Sequence, residues 1–180
     1  MKYWLFLLFP IIKAFHIRFF QGSMISKETY QPFLKEIESI LPCDSVQFQP
    51  YWKLKPFPPN TILIGHSFGG SMALYHSLIY SENIQGIVLL NSHFNALGQM
   101  PYIPFPLSKV KIPIYIAYGK YDQQLPYEMV VIDKEETDRQ KKRDIMFKEY
   151  ESDHFAIFKN TNIGRQVVKD IFSWLFIQLK

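Results

Sequence analysis

The stretch Thr61 to Tyr80, "TILIGHSFGGSMALYHSLIY", constrains the fold more than any other part of this sequence. Thr61 to Ile64 are β-branched or aliphatic and follow the breaker cluster Pro58-Pro59-Asn60, which predicts a short buried strand. From Ser71 to Tyr80 apolar residues recur at helical spacing (Met72, Leu74, Tyr75, Leu78, Ile79). Between them stands Ser67, with Gly65 two residues before it and Gly69 two after. A strand, one sharp turn and a helix form the setting in which G-x-S-x-G presents a serine clear of a sheet. The glycines relieve crowding where side chains would collide with each other and with the helix, while Gly70 and Ala73 let that helix pack closely.

The flanking segments repeat the alternation. Phe15 to Phe20, Ser45 to Gln49, Gly86 to Ser92, Ile112 to Gly119 and Asp144 to Tyr150 read as strands. Gly86 to Ser92 is a continuous apolar run, as in a parallel strand covered on both faces. Ser26 to Leu41 reads as a helix with Pro32 tolerated in its first turn, and Asn162 to Leu179 as an amphipathic helix. Tyr127 to Arg143 mixes charges of both signs, as a solvated outer helix does. Strands alternating with helices predict a doubly wound, mostly parallel sheet of about six strands, with helices on both faces and no cap domain.

With 180 residues, 48% of them hydrophobic, the chain can bury one sizeable core, and residues 15–180 are assigned to a single domain. Residues 1–14 form a hydrophobic N-terminal segment, apolar from Tyr3 to Ile12. That run is too short to span a bilayer, so two readings stand. It is a signal or anchor, placing the protein outside the cell or at a membrane, or it is an arm packed on the sheet of a cytoplasmic protein. The net charge of +4 comes from scattered basic residues, which does not indicate nucleic-acid binding. A single cysteine, Cys43, excludes an internal disulfide, and the five histidines lack metal-ligand spacing. No cofactor or metal is implied, and the oligomeric state is left open.

A serine becomes a nucleophile only beside a base that is itself oriented by a third group. Reactive groups in open parallel sheets lie beyond the carboxyl ends of strands. Two such loops carry candidates. "YGKYDQQLP" presents Asp122, and "ESDHFAIF" presents His154. Serine, acid and histidine then follow in the chain order that accompanies this turn. Asp153, adjacent to His154, reads as a solvent-facing turn residue, because neighbours in an extended loop point apart. His66 reads as packing at the turn, and His76 as structural.

On "GHSFGG", "YGKYDQQLP" and "ESDHF", the chain from Phe15 to Leu179 resembles the α/β-hydrolase-fold serine hydrolases, in particular small lidless lipases and esterases. The resemblance implies Ser67 as nucleophile, Asp122 as acid and His154 as base. It implies an oxyanion hole from the N–H of Phe68 and one from the loop after the first core strand. That loop often reads His-Gly in the family; here it reads Gln21-Gly22-Ser23, and Ser23 becomes the second donor. Some members carry the acid at the end of the "VLLNSHF" strand, but Asn91, Ser92 and Asn95 offer no carboxylate. His93 reads as a pocket wall.

The expected reaction is cleavage of a small-molecule or lipid ester through an acyl-enzyme. A thioesterase or acyltransferase would use the same residues. A non-catalytic member binding an apolar ligand or protein partner is the rival from another class. Membrane contact would come through the N-terminal segment. Pro101, Pro104 and Pro106 break the stretch between two strands, so a helical lid is not expected there. The site is expected to stand open to water, walled by His93, Phe94, Leu97, Tyr102 and Phe105.

Overall fold

In a computed structural model of the chain, the described residues are 14–92, 94, 109–125, 131, 134–135, 138 and 144–178. Six strands form one sheet: β1 (Phe15–Phe20), β2 (Cys43–Phe48), β3 (Thr61–His66), β4 (Ile84–Leu90), β5 (Ile114–Gly119) and β6 (Ile145–Tyr150). All neighbours pair in parallel, in the order β2-β1-β3-β4-β5-β6. The α-helices that pack on this sheet include α1 (Gln31–Ile40), α2 (Phe68–Ile79), α3 (Ala156–Lys159) and α4 (Thr161–Gln178).

The apolar runs of the central strands are continuous because each face meets its own helical layer. Successive side chains alternate across the sheet. Ile62, Ile64, Val88, Leu90, Tyr115 and Ala117 join the cluster built with α1, α3 and α4, where Phe33, Ile37, Phe158, Val168 and Trp174 are buried. Leu63, Ile87, Leu89, Ile114 and Ile116 point the other way and meet Ala73 and Leu74 of α2. The edge strands β2 and β6 are only partly buried, and Lys148 and Glu149 on β6 put charge on an exposed edge.

Several boundaries differ from the sequence reading for local reasons. The Ser26–Leu41 segment divides into a 3₁₀ turn, Lys27–Tyr30, and α1, with Pro32 in the first turn of α1. Proline there lacks only an N–H that a helix start leaves unpaired anyway. β2 begins at Cys43, whose thiol is half-buried and pushed up to about 11, chiefly by loss of water. α3 was not anticipated; the side chain of Asp153 accepts the N–H groups of Phe155 (2.8 Å) and Ala156 (2.7 Å) and starts it. Of the mixed-charge segment, Lys134, Glu135 and Asp138 are helical and exposed. Most of that segment, and residues 1–13, lie outside the described residues. No described helix is long and apolar enough to cross a membrane.

Candidate active site

In a parallel sheet every carboxyl end lies on the same edge, so the residues just past β3, β4, β5 and β6 converge. Past β3 comes Ser67, at φ 52° and ψ −126°. This is an uncommon conformation for a residue with a Cβ, of a kind that costs about 1–3 kcal/mol and that the surroundings must hold. They do so at both ends: the Ser67 N–H donates to the Leu90 carbonyl (3.0 Å), and the Ser67 carbonyl accepts the Gly70 N–H (2.9 Å). The glycines are needed, though not all for the expected reason. A Cβ on Gly65 would lie 2.4 Å from the Gly69 carbonyl oxygen, against the helix as expected. One on Gly69 would lie 2.2 Å from the Phe20 carbonyl oxygen, so the end of β1 and not a side chain at position 65 excludes it. Ser67 occupies the N-cap position of α2 without a side-chain capping bond, and the first turn holds no acid, so the helix N-terminus favours negative charge there.

Past β5 and β6 come Asp122 and His154. His154 Nδ1 lies 2.6 Å from Asp122 Oδ2, and both side chains are buried, 5% and 0% exposed. The other carboxylate oxygen, Oδ1, accepts the N–H groups of Gln124 (2.8 Å) and Leu125 (2.9 Å). These bonds replace the water that a buried carboxylate loses. A carboxylate oxygen accepts, so Nδ1 is the donor of this bond and Nε2 is the ring nitrogen left to face other groups. The two loops are stitched by Lys120 N–H to the Tyr150 carbonyl and Tyr121 N–H to the Ser152 carbonyl, each 2.9 Å. Asp153 is exposed and turned toward the start of α3, as its place beside His154 predicts.

Two residues that the sequence reading set aside hold this loop. His66 Nε2 lies 3.1 Å from the His154 carbonyl oxygen, and the two imidazole centroids are 4.6 Å apart. Because a carbonyl only accepts, Nε2 of His66 is the donor. Its Nδ1 then accepts from the Tyr30 hydroxyl (3.0 Å), which itself accepts the Gly22 N–H (2.8 Å). The second residue is Asn91, past β4 and between the other strand ends. Its Nδ2 donates to the carbonyls of His154 (2.9 Å) and Asp153 (3.2 Å), and its Oδ1 accepts the Gly119 N–H (2.7 Å). Asn91 is fully buried at φ 44°, a conformation asparagine tolerates better than most residues. Asn91→Ala is expected to destabilise the protein by about 2–4 kcal/mol, since it strands the Gly119 N–H and places alanine in a left-handed conformation. Urea unfolding measures this; a loss below about 0.5 kcal/mol would contradict the role given to Asn91.

Burial pushes the His66 imidazole down to about 3, with the neighbouring His154 adding to the effect. An unfolded chain protonates the same ring near pH 6.5. Below about 6.5 the unfolded state therefore holds the extra proton, and stability is expected to fall as pH drops from there toward 3. His66 contributes about 2–3 kcal/mol of that loss by pH 4.5. His76, also shifted down by burial, adds in the same direction. Urea unfolding at both pH values should show a shallower loss for His66→Gln than for the wild type. An equal loss would mean that His66 is not held neutral.

The Gly22 N–H is engaged by Tyr30, which leaves exposed Ser23 as the next backbone group along the loop. Phe68 opens α2, its ring edge-on to Tyr51 at 5.3 Å, and the Tyr51 hydroxyl donates to the Gln21 carbonyl. His93, Leu97, Tyr102 and Phe105 lie outside the described residues. Phe94 is 4% exposed and belongs to the core cluster with Phe20 and Leu63. Among the described residues, no group of three or more His, Cys, Asp or Glu side chains could hold a metal.

A family model described as phospholipase/carboxylesterase matches residues 53–161, a span containing Ser67, Asp122 and His154. No curated protein matches the chain in sequence. Among solved structures, the esterase domain of a Rhodothermus marinus protein aligns with a TM-score of 0.64 at 13% identity, over 92% of this chain and 88% of that one. Paleococcus ferrophilus monoacylglycerol lipase aligns with a TM-score of 0.61 at 14% identity, over 92% and 96%. An α/β hydrolase enzyme from the sediment metagenome of the Mar Chica lagoon, Morocco, gives 0.59 at 17%, over 89% and 91%. At such identities the likeness establishes the α/β-hydrolase fold.

Proposed function

The chain belongs to the phospholipase/carboxylesterase family, and we propose that it is a serine hydrolase that cleaves carboxylic esters through an acyl-enzyme on Ser67. The observation that carries this reading is the buried 2.6 Å bond between Asp122 and His154, on the same sheet edge as a serine in a strained turn. His154 Nε2 takes the Ser67 hydroxyl proton as Oγ attacks the ester carbonyl carbon. The carbonyl oxygen becomes an oxyanion that accepts the N–H groups of Phe68 and Ser23. Asp122 holds the ring in the required tautomer and stabilises its positive charge. His154 then returns the proton to the departing alkoxide, which leaves as the alcohol. A water attacks the acyl carbon while giving its proton to His154, and that proton returns to Ser67 as the carboxylic acid leaves.

The substrates proposed are soluble esters of short to medium acyl chains. Incubation with a fluorophosphonate probe tests whether any serine is activated, and nitrophenyl acetate and butyrate test turnover. Stoichiometric labelling with loss of esterase activity is expected. Folded protein that neither labels nor turns over ester would favour the non-catalytic reading.

A further inference from the structure

Beside the candidate site, the chain leaves apolar side chains in water on a backbone that is pinned. Trp52 is 83% exposed, Leu54 51% and Met24 fully exposed. A tryptophan this exposed is unusual in a folded domain. Its neighbour Tyr51 is tied down three ways: its ring meets Phe68, its hydroxyl reaches Gln21 and its carbonyl accepts His76 Nε2 at 2.9 Å. The turn is closed by Gln49 Nε2 on the Lys53 carbonyl at 2.9 Å. Met24 stands in the loop that Tyr51 touches, at φ 59°. This conformation is costly for methionine, and no core burial compensates for it.

The charged residues of these two loops have one dominant sign. Lys53 and Lys55 alternate with Trp52 and Leu54 in an exposed run, and Lys27 packs over the Phe48 ring at 5.3 Å, three residues past Met24. Glu28 is the one acid in the two loops, and no acidic residue stands between Asp44 and Glu82 in the sequence. Lysines whose stems flank apolar tips are suited to a surface that is apolar beneath and anionic above. A nucleic acid would not take up the aliphatic Leu54 and Met24. We propose that Trp52, Leu54 and Met24, flanked by Lys27, Lys53 and Lys55, form a docking surface for an anionic phospholipid bilayer, set next to the candidate active site. Trp52 and its apolar neighbours enter the interface while the lysines meet lipid phosphates.

Co-sedimentation of the full chain with vesicles tests this without depending on catalysis. Vesicles of phosphatidylcholine containing phosphatidylglycerol should carry the protein down at low salt and release it at high salt. The double variant Lys53→Gln/Lys55→Gln should bind about 30-fold more weakly, at about five-fold per lysine. Trp52→Ala should weaken binding as well, and circular dichroism should show both variants folded. Equal binding to pure phosphatidylcholine vesicles, unchanged binding of the variants, or no binding at all would each overturn the proposal. A dimer of the wild type that Trp52→Ala dissolves would do the same, by assigning the surface to a second copy of the chain.

Discussion

Ser67→Ala is expected to lower ester turnover by about four to six orders of magnitude. In the proposed mechanism the substitution removes the atom that bonds to the acyl carbon. Some acceleration over water should survive, because the Phe68 and Ser23 N–H groups, as the proposed oxyanion hole, would still hold a developing oxyanion for a water attacking directly. Stability should change little, since alanine and serine share the Cβ that makes the turn strained. A thermal melt separates the two effects. A folded Ser67→Ala variant with wild-type turnover would place the nucleophile elsewhere and remove the reason for the strained turn.

The second large effect separates two aspartates that are close in space and unequal in geometry. Asp122→Asn is expected to cost on the order of 10⁴ in kcat with the fold retained. The amide nitrogen can donate to His154 Nδ1, which would force the ring proton onto Nε2, where it blocks acceptance from Ser67. Asp153→Asn should change turnover by less than about threefold, because asparagine keeps the side-chain oxygen that starts α3. Steady-state kinetics on one soluble ester decides between them. The reverse order of effects would mean that the buried Asp122–His154 bond is structural.

The parts of this arrangement that were legible in the sequence are those fixed by local chemistry. Ser67 between Gly65 and Gly69, the apolar strands and the two polar loops bearing Asp122 and His154 each follow from a few adjacent residues. The all-parallel pairing follows from strands alternating with helices. What remained hidden depends on which strands lie side by side. His66 reaches the His154 carbonyl across 88 positions of sequence, and a histidine before a serine gives no sign of that partner. Asn91 could have been suspected, as a polar residue closing a wholly apolar strand. Its task follows only from the strand order, which places β4 between β3 and β5. The same holds for Gly69, which is required by the carbonyls ending β1.

The central claim is that an acyl group is carried on Ser67 during turnover. Mixing the protein with a nitrophenyl ester, quenching in acid within the first turnovers and mapping the peptides by mass spectrometry tests it most directly. The expected result is the acyl mass on the peptide containing Ser67, formed together with a burst of nitrophenol and absent from the Asp122→Asn variant on the same timescale. Ester hydrolysis at full rate with no acyl mass on Ser67, or with the mass on another residue, would contradict it.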